Sequence, residues 1–174
     1  MINLFKNFSS KKMLNEKFPR ISFNEAMKKY GTDKPDLRNP LEIKELTNLF
    51  TRDDVKFDIF KKMVKSGSIV RAILTKNTKE KPRSFFDSFD KWAKSEGASG
   101  LAYFTFEKNI KTEAKGPVGK FFSSEALNEI MKITGANIGD SIFFSCDKES
   151  KVLQLMSSAR NKIAKELNLI DENT

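Results

Sequence analysis

The stretches 68–75 (SIVRAILT) and 101–107 (LAYFTFE) decide the fold that the sequence predicts. Both are short apolar runs rich in β-branched or aromatic residues, and both follow a glycine, which is typical of largely buried strands. Residues 140–146 (DSIFFSC) predict a further strand of the same kind. Residues 55–60 alternate apolar and polar side chains, which predicts a strand that enters the domain.

Helices are predicted between and after these strands. In residues 84–96, phenylalanine and tryptophan recur every three or four positions, which indicates core packing rather than a platform for stacking bases. Residues 123–135 predict a second helix that ends at a glycine, and residues 148–167 predict a long third one. The order β-β-α-β-α-β predicts an α+β fold, a two-layer sandwich with a four-stranded, mainly antiparallel sheet covered by helices.

The first third of the chain predicts helices separated by a charged loop. Ser22 and Glu25 form a capping box for a helix over residues 23–30, which Gly31 ends. A second short helix is expected from Asn39–Pro40 to residue 50. With a boundary at residues 52–54, the expected organisation is 1–17, an N-terminal segment without a counterpart; 18–54, part of a larger domain; 55–147, the sandwich; and 148–174, a returning helix.

Composition limits the chemistry available to the chain. Its 174 residues include 32 Lys+Arg, 23 Asp+Glu and no His, for a net charge of +9. The absence of His excludes His-based acid–base chemistry, Ser-His triads and His metal sites. Cys146 is the only cysteine, which excludes an internal disulfide and fits a reducing cytoplasm. The charge favours RNA partners such as tRNA, or reflects a lysine-rich composition in general; no membrane or DNA partner is expected.

The most densely charged stretch is 30–38 (YGTDKPDLR), in which Tyr30, Asp33, Lys34, Asp36 and Arg38 are the candidate site residues. The charges of such a run must face water, a charged ligand or each other, because an isolated charge away from water is costly. Together with two later glutamates, the aspartates suggest either metal ligation or general-base work, or a solvated turn, and the sequence leaves both open. No metal site is predicted.

A second candidate is the lysine-rich stretch 108–120, which predicts a loop with two glycines and a proline. Its lysines either contact a tRNA backbone or are simply solvated, and the Gly-Lys-Ser/Thr of a Walker A loop is absent. The candidate tRNA contacts are Lys108, Lys111, Lys115 and Lys120.

From residue 18 onward the chain resembles bacterial-type aspartyl-tRNA synthetases, which are class II ligases. The stretches that carry the resemblance are 18–20 (FPR), 30–38, 97–103 (GASGLAY), 116–121 (GPVGKF), 139–144 (GDSIFF) and the last helix through residue 171. The resemblance implies that the middle of the chain is the GAD domain inserted in the catalytic domain. It also implies an α+β sandwich and a role in ATP- and magnesium-dependent attachment of aspartate to tRNA.

Motifs 1, 2 and 3 of the family have no counterpart in residues 18–171. We therefore expect a fragment of the ligase that is inactive alone, with no catalytic residue and no cofactor of its own, and with the other synthetase parts as possible partners. The role of the charged stretch is open. Two alternatives remain: a stand-alone tRNA-binding or docking module, and a non-functional remnant of a split gene.

Overall fold

The computed structural model describes residues 2–11, 13–14, 17–108, 111–171 and 173. In this part of the chain, an antiparallel sheet of five strands has the spatial order β1-β2-β5-β3-β4. The strands are β1 (Ile43–Glu45), β2 (Ile69–Thr75), β3 (Ala102–Lys108), β4 (Thr112–Lys115) and β5 (Ser141–Asp147). The helices are α1 (Ile2–Phe8), α2 (Phe23–Tyr30), α3 (Asp58–Lys65), α4 (Arg83–Ser95), α5 (Ser124–Thr134) and α6 (Glu149–Glu166), with 3₁₀ turns at Thr47–Thr51 and Gly119–Phe121.

The central strand β5 supplies one phenylalanine to each of two hydrophobic cores. Successive side chains of a strand point to opposite faces, so Phe143 and Phe144 separate. The Phe144 ring lies within 6.0 Å of four other phenylalanine rings on the face covered by α3 and α5. The Phe143 ring contacts Phe86, Phe89 and Tyr103 on the face covered by α4 and α6. Both faces of the sheet are therefore buried, which explains why its central strands are mostly apolar.

The α+β class and the mainly antiparallel sheet are confirmed, with five strands instead of four and helices on both faces. No helix in the described residues is long and apolar enough to cross a bilayer. The predicted caps at Ser22, Gly31 and Gly135 are confirmed, and of the two candidates for the cap of α5, Ser123 and Ser124, it is Ser123. Each capping serine accepts a backbone N–H of the first turn, and both glycines are left-handed. The predicted N-cap of α4, Ser84, was wrong, since Pro82, two residues earlier, is its N-cap.

Two predicted elements were wrong. Residues 55–60 do not form a strand, because only Val55 makes a bridge, to Phe122, and α3 begins at Asp58. The alternation was misleading. The rings of Phe57 and Phe60, three positions apart, stack with their centres 4.6 Å apart, while Ile59 is 65% exposed, so the buried residues follow the spacing of a helix. The helix expected over residues 40–50 is instead β1 followed by a 3₁₀ turn, because Ile43 pairs with Ile73 at the sheet edge.

The stretch 108–120 is more regular than the predicted loop. Residues 112–115 form the edge strand β4, in which Lys115 pairs with Thr105 of β3. Pairing across the sheet, which local sequence does not reveal, overrides the low strand propensity of TEAK.

We predict that Cys146 resists alkylation in the native chain. Its side chain is buried in the α3/α5 core, and burial raises the pKa of the thiol to about 11, so the reactive thiolate is scarce. Iodoacetamide at about pH 8 should label the chain only in denaturant, as read by intact mass. Rapid labelling under native conditions would show that the α3/α5 core is open.

Candidate functional site

The charged stretch forms a loop between α2 and β1 that lies directly on α6. Gly31 begins it at φ +69°, a left-handed conformation that glycine adopts without strain. A Cβ at this position would meet the backbone oxygen of Leu153 at 2.6 Å and Cβ of Ser157 at 3.0 Å. Residue 31 must therefore be glycine both for its conformation and for its close approach to the helix.

Arg160 of α6 is the centre of this arrangement. It is 1% exposed, and it donates from Nε to the backbone oxygen of Leu41 at 2.6 Å. Its Nη2 donates to the backbone oxygens of Asp36 at 2.9 Å and Asn39 at 2.7 Å. The guanidinium also lies over the Tyr30 ring, 4.8 Å from the ring centre. One side chain thus holds both ends of the loop.

Asn39 completes the attachment in the opposite direction. It is buried, its Nδ2 donates to the backbone oxygen of Arg160 at 3.1 Å, and its Oδ1 accepts the backbone N–H of Leu41 at 3.0 Å. The loop and the helix therefore exchange hydrogen bonds through a pair of buried polar side chains. Such a network is favourable only when its members are satisfied, and these hydrogen bonds provide the required partners.

Burial lowers the pKa of the Arg160 guanidinium, while Tyr30, Asp36 and Glu42 act in the opposite sense. An arginine stays protonated in proteins, so a full positive charge lies under the loop. The carbonyl dipoles and the nearby carboxylates compensate this charge. The negative residues of the stretch thus have a structural reason to be there.

The five predicted site residues separate into an inner and an outer set. Tyr30 faces Arg160, and Asp36 pairs with Arg38 through Oδ2···Nη2 at 2.8 Å and Oδ1···Nε at 3.0 Å. The Arg38 guanidinium holds the pKa of the Asp36 carboxyl below its usual range. Asp33 and Lys34 are the outer set: their charged groups are 3.5 Å apart, and the Lys34 side chain is 87% exposed.

The carboxylates considered as metal ligands or general bases are engaged with cations. Glu42 pairs with Lys44 at 2.6 Å, and Glu45 pairs with the buried Arg71 at 3.1 Å. In the described part of the chain, no cluster of three His, Cys, Asp or Glu residues is placed to hold a metal ion.

The four candidate lysines do not share one face of the sheet. Lys108 pairs with Thr112 and Lys115 with Thr105, so the two lysines, seven positions apart in a tight hairpin, project from opposite faces. Lys111 is exposed in the hairpin, and Lys120 lies over the Phe121 ring at 5.3 Å in the following 3₁₀ turn.

Sequence reasoning missed a basic cleft that includes one of these lysines. It has a volume of about 490 Å³ and lies between the β2–α4 turn and the end of β4. The signal was visible as the basic run of residues 76–83 (KNTKEKPR), but the sequence does not show that this run faces Lys115. The residues that line the cleft are Lys79, Lys81, Arg83, Phe86, Tyr103, Thr105, Lys115, Gly116 and Pro117.

Comparison with known protein families decides the class of the chain. Residues 60–156 match the GAD domain. The chain belongs to the GAD domain family. The matched range begins within α3 and ends within α6, so the GAD domain includes most of both hydrophobic cores of the sheet but not the charged loop. The loop packs on the final part of the GAD match and on the helix beyond it.

Three relatives that contain this GAD domain carry the name aspartate–tRNA(Asp/Asn) ligase. The chain is 69% identical to the protein from Pelagibacter ubique over 174 residues, 47% to that from Beijerinckia indica over 166 residues, and 46% to that from Ehrlichia chaffeensis over 174 residues. These alignments cover 100%, 95% and 100% of the chain but only 29%, 28% and 29% of the relatives. The chain therefore spans less than a third of their length.

The alignment with the Pelagibacter ubique protein includes residues 1–17. The expectation that this segment has no counterpart does not hold for that relative.

We predict that Arg160→Met lowers the free energy of unfolding by about 3 kcal/mol. The substitution keeps the length of the side chain but leaves three loop carbonyls without their donor. Urea denaturation measures the change. Lys165→Met, at an exposed position of the same helix, is the matched control and should change stability by less than about 0.5 kcal/mol. Equal stability of Arg160→Met and the parent would contradict the role of the arginine.

We predict that the stabilisation provided by Asp36 depends on pH. Because its pKa is lower in the folded chain, the stabilisation is present above the unfolded value of about 3.9 and is lost as the pH falls through the lower folded value. Asp36→Asn should therefore destabilise the chain near neutral pH and converge with the parent in acid. The measurement is urea denaturation across this range, with exposed Asp53→Asn as the control for loss of one negative charge.

Proposed function

We propose that the chain is the GAD-containing part of an aspartate–tRNA ligase that attaches aspartate to both tRNA(Asp) and tRNA(Asn). The observation that carries the proposal is the 69% identity, without a break in coverage, to a relative of that name. Its use of two tRNAs is transferred from the names of the three relatives. The reaction uses ATP and magnesium in the intact enzyme, and we place it in the cytoplasm.

In this proposal the chain supplies none of the reacting groups. Its described residues form a packed domain and a loop that is pinned to a helix, and we assign no catalytic residue, metal ligand or cofactor site among them. Tyr30, Asp36 and Arg38 act as positioning residues of the loop. Asp33 and Lys34, which project outward, are its candidates for contact with the remaining parts of the synthetase.

We further propose that residues 18–54 and 148–174 flank the GAD domain as pieces of the catalytic domain. Contacts between these pieces support this division, since Tyr30 and Asn39 of the first lie against Arg160 of the second. The division is not absolute, because β1 of the first piece pairs with β2 of the GAD sheet. The GAD domain is thus joined to these two pieces through the edge strand β1, the 3₁₀ turn that follows it and α6.

The proposal is tested by a chimera. The 174 residues of this chain replace the aligned segment of the Pelagibacter ubique protein, and aminoacylation of tRNA(Asp) and tRNA(Asn) transcripts is measured. We expect both tRNAs to be charged with kcat/KM within about threefold of the parent enzyme. The chain alone should show no aspartate-dependent exchange of pyrophosphate with ATP.

The controls separate misfolding from loss of function. Circular dichroism and thermal melting establish that the chimera is folded, and exposed Lys151→Ala in the chimera should leave its activity unchanged. A folded chimera that charges neither tRNA would overturn the proposal. Charging of tRNA(Asp) alone would restrict it to a ligase specific for one tRNA.

A further inference from the structure

We infer that the basic cleft between the β2–α4 turn and the end of β4 binds an RNA phosphodiester backbone. That this RNA is the tRNA of the intact enzyme rests on the proposed function. The cleft itself is defined by its own residues: Lys79, Lys81, Arg83 and Lys115 line it, and no carboxylate does among the residues that the structure describes. The four cations outnumber the three neighbouring carboxylates, so the cleft keeps a positive balance in a chain that is already basic.

The turn that carries Lys79 and Lys81 is held by hydrogen bonds within the chain. Asp140 is 1% exposed and accepts the backbone N–H of Asn77 at 2.9 Å, that of Asn137 at 2.8 Å and the Lys76 ammonium at 3.0 Å. Lys79 donates its backbone N–H to the oxygen of Gly139 at 3.0 Å. The buried carboxylate thus fixes the turn, and a preformed site avoids part of the entropy cost of binding.

The opposite wall is equally fixed. Lys115 is the last residue of β4, and Gly116 follows at φ +148°, where a Cβ would lie 3.0 Å from both Cα of Phe104 and the backbone oxygen of Tyr103. Gly119 packs so closely on Ala114 that a Cβ there would collide with its carbonyl. The turn after β4 is therefore held against the sheet, and it keeps Lys115 at the rim of the cleft.

The cations are available to a ligand although each has an acidic or aromatic neighbour. Lys79 lies 3.6 Å from Glu80, Lys115 lies 3.7 Å from Glu107, and Arg83 lies 3.2 Å from Asp87. The Lys115 and Arg83 side chains are 79% and 80% exposed, and exposed pairs of this kind contribute about 0–1 kcal/mol each. Phosphates can therefore replace these partners at little cost.

The floor of the cleft excludes base stacking. Phe86 and Tyr103 are buried and stack on each other with their ring centres 4.9 Å apart. The Tyr103 hydroxyl donates to Asp87 at 2.7 Å, and burial, followed by this hydrogen bond, raises the pKa of the phenol to about 12. Ring faces that are already covered cannot receive bases, so the cleft is suited to phosphates.

A backbone is a better occupant than a small anion such as ATP. A site for one phosphate group needs donors that converge on a single point, whereas the charged ends of these residues lie at an exposed rim supplied by three separate elements. Such an arrangement presents charge along a path, as a polyanion requires, and it predicts strong dependence on salt with little dependence on sequence.

The test measures binding of a fluorescent tRNA(Asp) transcript to the full chain by anisotropy over a range of KCl concentrations. We expect the quadruple variant Lys79→Gln, Lys81→Gln, Arg83→Gln and Lys115→Gln to weaken binding at least about tenfold and to reduce the slope of log K against log salt by about 3. An unrelated tRNA should bind the parent chain with similar affinity.

The matched control removes the same charge elsewhere. Exposed lysines on or next to α3 and α5 are changed together, as Lys56→Gln, Lys62→Gln, Lys65→Gln and Lys132→Gln. We expect this variant to weaken binding by less than about threefold. Equal weakening by both variants, or no binding by the parent chain, would overturn the cleft as the site.

Two further arms identify the ligand. Displacement of the tRNA by saturating ATP would overturn the assignment to a backbone in favour of a small anion, and a large preference for tRNA(Asp) over the unrelated tRNA would overturn readout by phosphates alone. The chimera distinguishes the two proposals. If the chimera is active but the cleft variant binds tRNA normally, only the proposal for the cleft is overturned. If the chain binds tRNA in the cleft but the folded chimera is inactive, only the proposed ligase function is overturned.

Discussion

A buried guanidinium that donates its hydrogen bonds to backbone carbonyls is the constraint on which the rest of this chain depends. Burial takes the Arg160 guanidinium out of water. The cost of desolvating this charge is offset mainly by its hydrogen bonds to backbone carbonyls of a loop about 120 residues earlier in the chain. The loop must therefore stay in place for α6 to stay buried, and α6 in turn covers one face of the sheet. The density of charge in YGTDKPDLR follows from this: part of it neutralises the arginine, and part of it projects outward.

The sequence was most informative where a residue acts within its own segment. The cap at Ser22 and the left-handed Gly31 and Gly135 depend on neighbours three or four positions away, and they were predicted correctly. Most of the strands and helices of the GAD domain follow from local periodicity in the same way. β1 and α3 were missed because a few apolar residues in a short stretch fit either the strand or the helix period, and only packing against Ile73 or Phe144 selects one.

The candidate site was predictable only in part, for a related reason. The loop could be found from its unusual composition, but Arg160 looks like any basic residue on the polar face of a helix. Its role appears only when the fold brings it under residues 36–41. The cleft is similar, since Lys79, Lys81 and Arg83 are adjacent in sequence while Lys115 reaches them through the pairing of β3 with β4. Asp140 and Gly116, within the stretches that carry the family resemblance, prove to hold the two walls of that cleft.

The separation of Arg160 from its loop along the chain has a consequence for the order of folding. The hydrogen bonds join residues that are 119 to 124 positions apart, so the two ends of this long segment must come together before Arg160 can bond to its acceptors. For a flexible chain, closing a loop of that length costs about 4 kcal/mol of entropy, and a folded domain in between brings the ends together and removes most of this cost. A folded GAD domain thus brings its two flanks together and lowers the entropy cost of the contacts between Arg160 and the charged loop.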